Sequence, residues 1–336
     1  MNTTPHLHWG AEALWGSLAP LLPGISVEVV SRCESTNTRL LERARALGGQ
    51  PDAPVTRPGE LDGMTHVERT PHGRRAGDIS PCLLVAEQQT RGRGRLGRDW
   101  ISSASASLTF SLSLPLAPVQ WGGLSLAVGL SLAEALDPRP AGESVDDALR
   151  APVSGSGSGS GSAAAAGRPR IALKWPNDLW LWDGPGQGRK LGGILIETVS
   201  VGQRRMCVVG VGLNVLPQAV SAAGLAANPA QLASGYACLQ EIDAAASAPH
   251  VLSQVALPLV QALQRFEQRG FEPLVAAYGR RDLLRGRAVI TTAPEVLHGV
   301  ADGVDEQGAL RILPSTGGGA VQRIVSGEVS VRLGQD

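Results

Sequence analysis

With 336 residues, 43% of them hydrophobic, the chain is long enough to bury one large core and a smaller second one. Its 30 Lys and Arg balance 30 Asp and Glu, so it lacks the basic excess of a duplex-binding protein, and no specific DNA binding is expected. No run approaches the roughly 18 apolar residues of a membrane span. The opening MNTTPHLHWG lacks the charged and apolar regions of an export signal, so a cytoplasmic location away from membranes is expected. Cys33, Cys82, Cys207 and Cys238 are scattered, with no CxxC pair or nearby His, which reads as ordinary thiols and not as a zinc site or a disulfide framework.

In chain order, Trp9, Leu14, Trp15 and Leu18 predict an amphipathic helix, and Ile25 to Val30 a strand. Glu34-Ser35-Thr36-Asn37 stands directly before Leu40, Leu41, Ala44 and Leu47, which share one helical face. Ser35 or Thr36 therefore serves as N-cap. The same hydroxyls and N–H groups at a helix start also make a compact hydrogen-bonding site for a small polar ligand. Gln50 to Pro81 has no periodicity and reads as a long surface excursion.

Leu83 to Ala86, a buried strand, then feeds TRGRGRLGRDW at 90–100. Gly92, Gly94 and Gly97 let the backbone approach a ligand, while Arg91, Arg93, Arg95 and Arg98 supply fixed charge and forked donors. Such a loop suits phosphate or carboxylate, and Gly/Arg loops also bind single-stranded nucleic acid. Few of its side chains can anchor in an apolar core and its guanidinium groups repel each other, so it is expected to order only over a negatively charged ligand.

Leu108, Phe110, Leu112 and Leu114 alternate with Thr109, Ser111 and Ser113, which predicts a strand with one buried face. Leu124 to Leu136 predicts an apolar helix. Pro138 to Gly167, with its Ser-Gly repeats, reads as an inserted linker. In IALKWPNDLWLW at 171–182, Pro176 cannot donate to a ladder, so the strand is an edge or breaks there, exposing Lys174, Asn177 and Asp178. A turn at 183–186 leads to the strand Lys190 to Glu197, a hairpin with Lys190 near its mouth. Met206 to Leu216 is a third strand, in which Gly210 and Gly212 permit close approach. Their GxG lies inside the strand and is not the dinucleotide fingerprint. Leu259, Ala262, Leu263 and Phe266 form a helical face, with Pro258 placed in the first turn. From Arg287 the pattern changes to short strands at 288–292, 297–300, 309–313 and 329–333, a small β-barrel joined near Tyr278 to Leu284.

Taken in order, Glu34-Ser35-Thr36-Asn37, GRGRLGRDW at 92–100, KWPNDL at 174–179, KLGGILIE at 190–197, GVGLN at 210–214 and GEVSVR at 327–332 closely resemble the biotin protein ligases. The layout resembled is the one without an N-terminal DNA-binding domain. The resemblance implies an α+β fold, a mixed sheet with flanking helices similar to class II aminoacyl-tRNA synthetases and lipoate ligases. It implies a catalytic domain over 1–280 with flexible insertions at about 50–81 and 138–168, then an SH3-like β-barrel over 281–336. It further implies that biotin and ATP, with Mg²⁺, form biotinyl-5′-AMP, and that the acyl group passes to a lysine of a biotin carboxyl carrier protein. A homodimer is compatible with it.

By the same resemblance Ser35, Thr36, Asn37 and Gln89 meet the ureido end of biotin, and Arg93, Gly94 and Arg95 close over the ligand. Trp100 packs near the adenine, while Asn177 and Asn214 contact the nucleotide. The residues also suit this chemistry on their own terms. A carboxylate attacking an α-phosphorus brings two anions together, and Arg93, Arg95 and Lys190 can hold them, with Lys190 best suited to the α-phosphate. Asp178 can accept a proton from the incoming lysine or help hold Mg²⁺; its bland alternative is a turn cap. A lipoate or other acyl-adenylate ligase of the same fold is the rival enzyme. Shortening 152–167 to a few Gly and Ser residues should leave adenylation within about tenfold of the parent, read as pyrophosphate release, because nothing in Ser154 to Ser162 offsets the entropy of ordering it.

Overall fold

The computed structural model describes residues 7–48, 80–140, 169–184, 187–218, 235–291, 298–315, 320–325 and 331–333. Nearly all of the excursion at 50–81 and the linker at 138–168 lies outside these residues, as does most of GEVSVR. Helix α1 (Ala11–Leu18), strand β1 (Ser26–Cys33), helix α2 (Thr36–Gly48) and strands β2 (Cys82–Gln89) and β5 (Ser107–Pro115) fall where the sequence placed them. Between β2 and β5 lie two short strands, β3 (Gly92–Arg93) and β4 (Asp99–Trp100). Helix α3 (Leu124–Leu136) precedes β6 (Arg170–Lys174), β7 (Asp178–Gly184), β8 (Gln187–Val201) and β9 (Arg204–Asn214).

Seven of these strands form one mixed sheet in the order β1-β2-β5-β9-β8-β7-β6. Only the β1–β2 pair is parallel; the other pairs are antiparallel. Residues 171–182 are therefore two strands and not one, with Pro176 in the turn between β6 and β7, where its missing N–H costs no ladder bond. Lys190 sits inside β8 opposite Trp180, away from the hairpin tip.

Helix α3 and helix α4 (Ala248–Arg269) cover one face of the sheet, and α2 covers the other. Leu108, Phe110, Leu112 and Leu114 join the main core on the α3 side, while Leu40 and Leu41 of α2 pack with Leu84 and Val208 on the opposite side. Here the structure corrects two expectations. Strand β5 is buried on both faces, since Ser107, Thr109, Ser111 and Ser113 are all buried and hydrogen-bonded, Ser111 to Thr36 and Asn37 of α2 and Thr109 to Ala86 O of β2. Pro258 lies mid-helix in α4; the proline near its start is Pro249, and the buried stripe from Val251 to Phe266 carries the helix through the missing hydrogen bond.

After helix α5 (Val275–Gly279) comes a five-stranded antiparallel sheet, β13-β12-β11-β10-β14. Its strands are β10 (Ala288–Thr291), β11 (His298–Val304), β12 (Leu310–Pro314), β13 (Gln322–Ile324) and β14 (Val331–Leu333). The sequence reading missed β13 and the second half of β11. This sheet shares the main core through Val289, Ala301, Leu310 and Ile312, and the joint also carries backbone hydrogen bonds. Leu173 N–H donates to Arg281 O at 2.7 Å and Leu283 N–H to Leu173 O at 2.9 Å, extending edge strand β6. Trp175 Nε1 donates to Gly308 O at 3.0 Å. Gly308 lies so close to Gly123 that a methyl group at 308 would collide with that backbone.

Beside this joint, the Asp137 carboxylate at the end of α3 receives three guanidinium groups: Arg139 at 3.2 Å, Arg170 at 3.2 Å and Arg281 at 3.3 Å. The Arg139 and Arg281 side chains are only 4% and 5% exposed, so one buried carboxylate faces three cations. Burial, with Arg281 adding to it, pushes the Arg139 guanidinium down to about 10.

Candidate active site

The start of α2 builds one end of a cleft. Ser35 caps the helix, its Oγ accepting weakly from Thr38 N–H at 3.4 Å. Thr36 and Asn37 are almost wholly buried. Gln89 Oε1 accepts from the Thr36 N–H at 2.7 Å and lies 3.1 Å from the Thr36 hydroxyl. The Ser111 hydroxyl, on the polar face of β5, lies 2.6 Å from both Thr36 Oγ1 and Asn37 Oδ1. A carbonyl oxygen only accepts, so Ser111 commits its one proton to Asn37 and takes Thr36's in turn. Asn37 Nδ2 completes the chain by donating to Leu195 O at 3.1 Å and Glu197 Oε2 at 3.0 Å. Gly210 makes room for this: any side chain there would collide with the Asn37 amide. The result is a neutral, pre-ordered hydrogen-bonding end.

The Gly/Arg stretch closes back on itself as a small hairpin, β3 against β4, through a turn in which Leu96 (φ 58°) and Gly97 (φ 71°) are left-handed. Arg93 and Trp100 tie it to the body of the protein. Arg93 donates to Thr38 Oγ1 at 3.2 Å and pairs with Glu197 at 3.1 Å. The Trp100 indole lies flat against Gly212, where a methyl group would strike the ring, and its Nε1 is buried without a hydrogen-bond partner among the described residues. Burial pushes the Arg95 guanidinium below its ordinary value; Asp178 opposes this and Arg98 adds to it.

The opposite end is charged. Lys190 Nζ lies 2.8 Å from Asp178 Oδ1, with the side chains 14% and 21% exposed. The two groups belong to neighbouring strands, β8 and β7. Asn177 locks the turn before β7 to β8, donating to Ile194 O at 2.8 Å and accepting the Ile194 N–H at 3.0 Å. Neutral end, basic flap and ion pair surround one open cleft of about 700 Å³. Such a cleft can hold a neutral polar head, an apolar chain and an anionic group in line.

Two sequence signatures match the chain: residues 78–214 match the biotin/lipoate A/B protein ligase family, and 286–332 the biotin protein ligase C terminal domain. The biotin--[acetyl-CoA-carboxylase] ligase of Mycobacterium tuberculosis is 31% identical, across 74% of this chain and 79% of its own length. That of Paracoccus denitrificans is 32% identical, across 68% and 82%. The chain belongs to the biotin protein ligase family. A bifunctional ligase/repressor from Escherichia coli is 29% identical over 93% of this chain and 75% of its own. The fold agrees with the biotin protein ligase of Aquifex aeolicus solved with biotin and ATP, at a TM-score of 0.58 and 24% identity, covering 93% of this chain and all of that one.

Of the residues expected in a biotin protein ligase site, Ser35, Thr36, Asn37, Gln89, Arg93, Gly94, Arg95, Trp100, Asn177, Asp178 and Lys190 all line the cleft. Asn214 does not. It is buried behind β8, its Nδ2 donating to Lys190 O at 3.4 Å and its Oδ1 accepting from Gln218 at 3.3 Å, so it supports Lys190's strand. Sequence reasoning assigned no site role to Ser111 or Glu197. The signal for Ser111 was the run of hydroxyls on the second face of β5; for Glu197 it was the acidic residue closing KLGGILIE.

Proposed function

We propose that this cleft performs ATP-dependent biotin ligation in two steps. The biotin carboxylate attacks the α-phosphorus of ATP, forming biotinyl-5′-AMP and expelling pyrophosphate. The ε-amine of a carrier lysine then attacks the acyl carbon, forming the amide and releasing AMP. The observation that carries this reading is the Lys190–Asp178 pair at 2.8 Å, across one cleft from the neutral Thr36–Ser111–Asn37 chain. A neutral cyclic urea suits the chain, and the reacting anions suit the lysine.

In this reading Lys190 meets the α-phosphate and the developing acyl-phosphate, and Arg93 and Arg95 clamp the anionic ligand. Trp100 offers an indole face to the adenine, and Asn177 a polar contact to the nucleotide. Asn214 acts through the Lys190 backbone. Among the described residues no three His, Cys, Asp or Glu converge on one point. Mg²⁺ commonly takes one or two carboxylates and completes its shell with substrate phosphates and water, and the Asp178 carboxylate in the cleft lining fits that share. Asp178 would be the protein's share, and the ion would neutralise phosphate charge. The fold reads as a class II synthetase-like catalytic domain over 1–280 and an SH3-like barrel over 281–336. The partner is the biotin carboxyl carrier protein of acetyl-CoA carboxylase or a related carboxylase, met in the cytoplasm, with a homodimer as the assembly. Among the described residues no helix is long and apolar enough to cross a membrane.

Labelled ATP incubated separately with biotin, lipoate and octanoate tests the substrate. Biotin alone should drive pyrophosphate release, and release with lipoate equal to that with biotin would overturn the reading. Arg95→Gly should remove a charge-assisted hydrogen bond of roughly 1.5–3 kcal/mol, so the adenylate escapes about ten- to a hundredfold faster. Escaped adenylate should biotinylate bystander lysines. Unchanged retention of labelled intermediate on a filter would take Arg95 out of the clamp.

A further inference from the structure

Glu197 of β8 is not part of the cleft wall, yet it touches two of the cleft's working parts. Its Oε2 accepts from Asn37 Nδ2 at 3.0 Å and its Oε1 pairs with Arg93 Nη2 at 3.1 Å. Asn37 belongs to the first turn of α2, and Arg93 to the flap formed by β3 and β4. One carboxylate therefore joins the neutral end of the cleft to its basic cover. Asn37 has little capacity left for a ligand, since Oδ1 takes the Ser111 proton and Nδ2 serves Leu195 O and Glu197. Its amide occupies the space that the missing side chain of Gly210 leaves. Arg93, by contrast, is 47% exposed and is steered mainly by Glu197 and Thr38.

We propose that Glu197 is a positioning residue for ligation, coupling closure of the Arg93 flap to the orientation of the Asn37–Ser111–Thr36 chain. Glu197 stands on core strand β8 and holds both at once, so biotin meets them as one unit: if the flap is displaced, Arg93 leaves and the carboxylate that orients Asn37 loses its counter-charge. This rests on the ligation reading above.

The test is biotin-dependent pyrophosphate release by wild type, Glu197→Ala, Glu197→Gln, Arg93→Ala and the double variant Glu197→Ala with Arg93→Ala, each checked for an unchanged thermal midpoint. In Glu197→Ala, losing the charged bridge should raise the KM for biotin about tenfold while kcat stays within about twofold. Glu197→Gln keeps an acceptor for Asn37 without the charge, so it should fall between wild type and Glu197→Ala. The double variant should lie within about threefold of the worse single variant, because both act on one unit. Multiplying single effects, or a lowered thermal midpoint with KM unmoved, would overturn the coupling. A wild type that releases no pyrophosphate with biotin is a different result, and it removes the ligation reading itself.

Discussion

Lys190→Ala should lower biotin-dependent pyrophosphate release by about 100- to 1,000-fold, the loss typical when a preorganised donor is removed from developing charge. The Lys190 ammonium is 14% exposed and held 2.8 Å from Asp178. In that partly desolvated setting, bringing a carboxylate to an α-phosphate needs a fixed cation close by. The alanine variant does more than remove the cation, because it leaves the Asp178 carboxylate unpaired beside two approaching anions. Adding Asp178→Asn to Lys190→Ala separates two effects: adenylate formation recovers by several-fold where repulsion dominates the loss, and falls further where Asp178 holds Mg²⁺. Rapid-quench measurement of labelled adenylate in one turnover checks both variants. Adenylate forming at the parent rate in Lys190→Ala would show that the charge comes from elsewhere, Arg95 being the nearest alternative on the flap.

Asp137→Ala should lower stability by about 3–5 kcal/mol, the range for removing one partner of a buried ion pair. Arg139, Arg170 and Arg281 all converge on this carboxylate, and they come from three places: the segment after α3, strand β6 and the segment after α5. Burial already pushes both Arg139 and Arg281 below their ordinary values. Without the carboxylate, three guanidinium groups repel one another where Arg139 and Arg281 are almost wholly shielded from water. Urea unfolding should show a clearly lower midpoint. A midpoint equal to that of the parent would mean that the carbonyls of Asp137 and Ile171, which also accept from these arginines, suffice to hold them.

Much of this was legible in the sequence because several motifs each occupy one structural unit. Glu34 to Asn37 starts a helix, GRGRLGRDW forms one hairpin, and KWPNDL makes one turn with the strand that follows it, so the resemblance of these motifs to the biotin protein ligases located most of the cleft wall. Features that depend on a third element were not legible. The alternation along β5 gave the strand correctly, but whether its hydroxyl face met water or α2 depended on a helix about 70 residues earlier. Pro258 looked like a helix start because local chemistry favours it there, whereas packing of the stripe from Val251 to Phe266 against the sheet carried α4 through it. Asn214 was assigned to the nucleotide from its motif, and the register of β9 against β8 turned it toward the Lys190 backbone instead. Glu197 gains its contacts only once β8, α2 and the flap meet.

The joint between the two sheets bears on how freely their parts could be exchanged between relatives. At its centre the backbone of Gly308 rests on that of Gly123, and both residues are left-handed, at φ 75° and 79°. Phe271 fills the space where a Gly123 side chain would go. Where main chain meets main chain there is no side chain to adapt, so that contact fits by shape or not at all. Grafting the C-terminal segment of one relative onto the body of another would then hinge on this pair of glycines. A chimera carrying a bulkier residue at either place would keep every catalytic side chain and still lose the seat on which Trp175, one residue after Lys174, is hung.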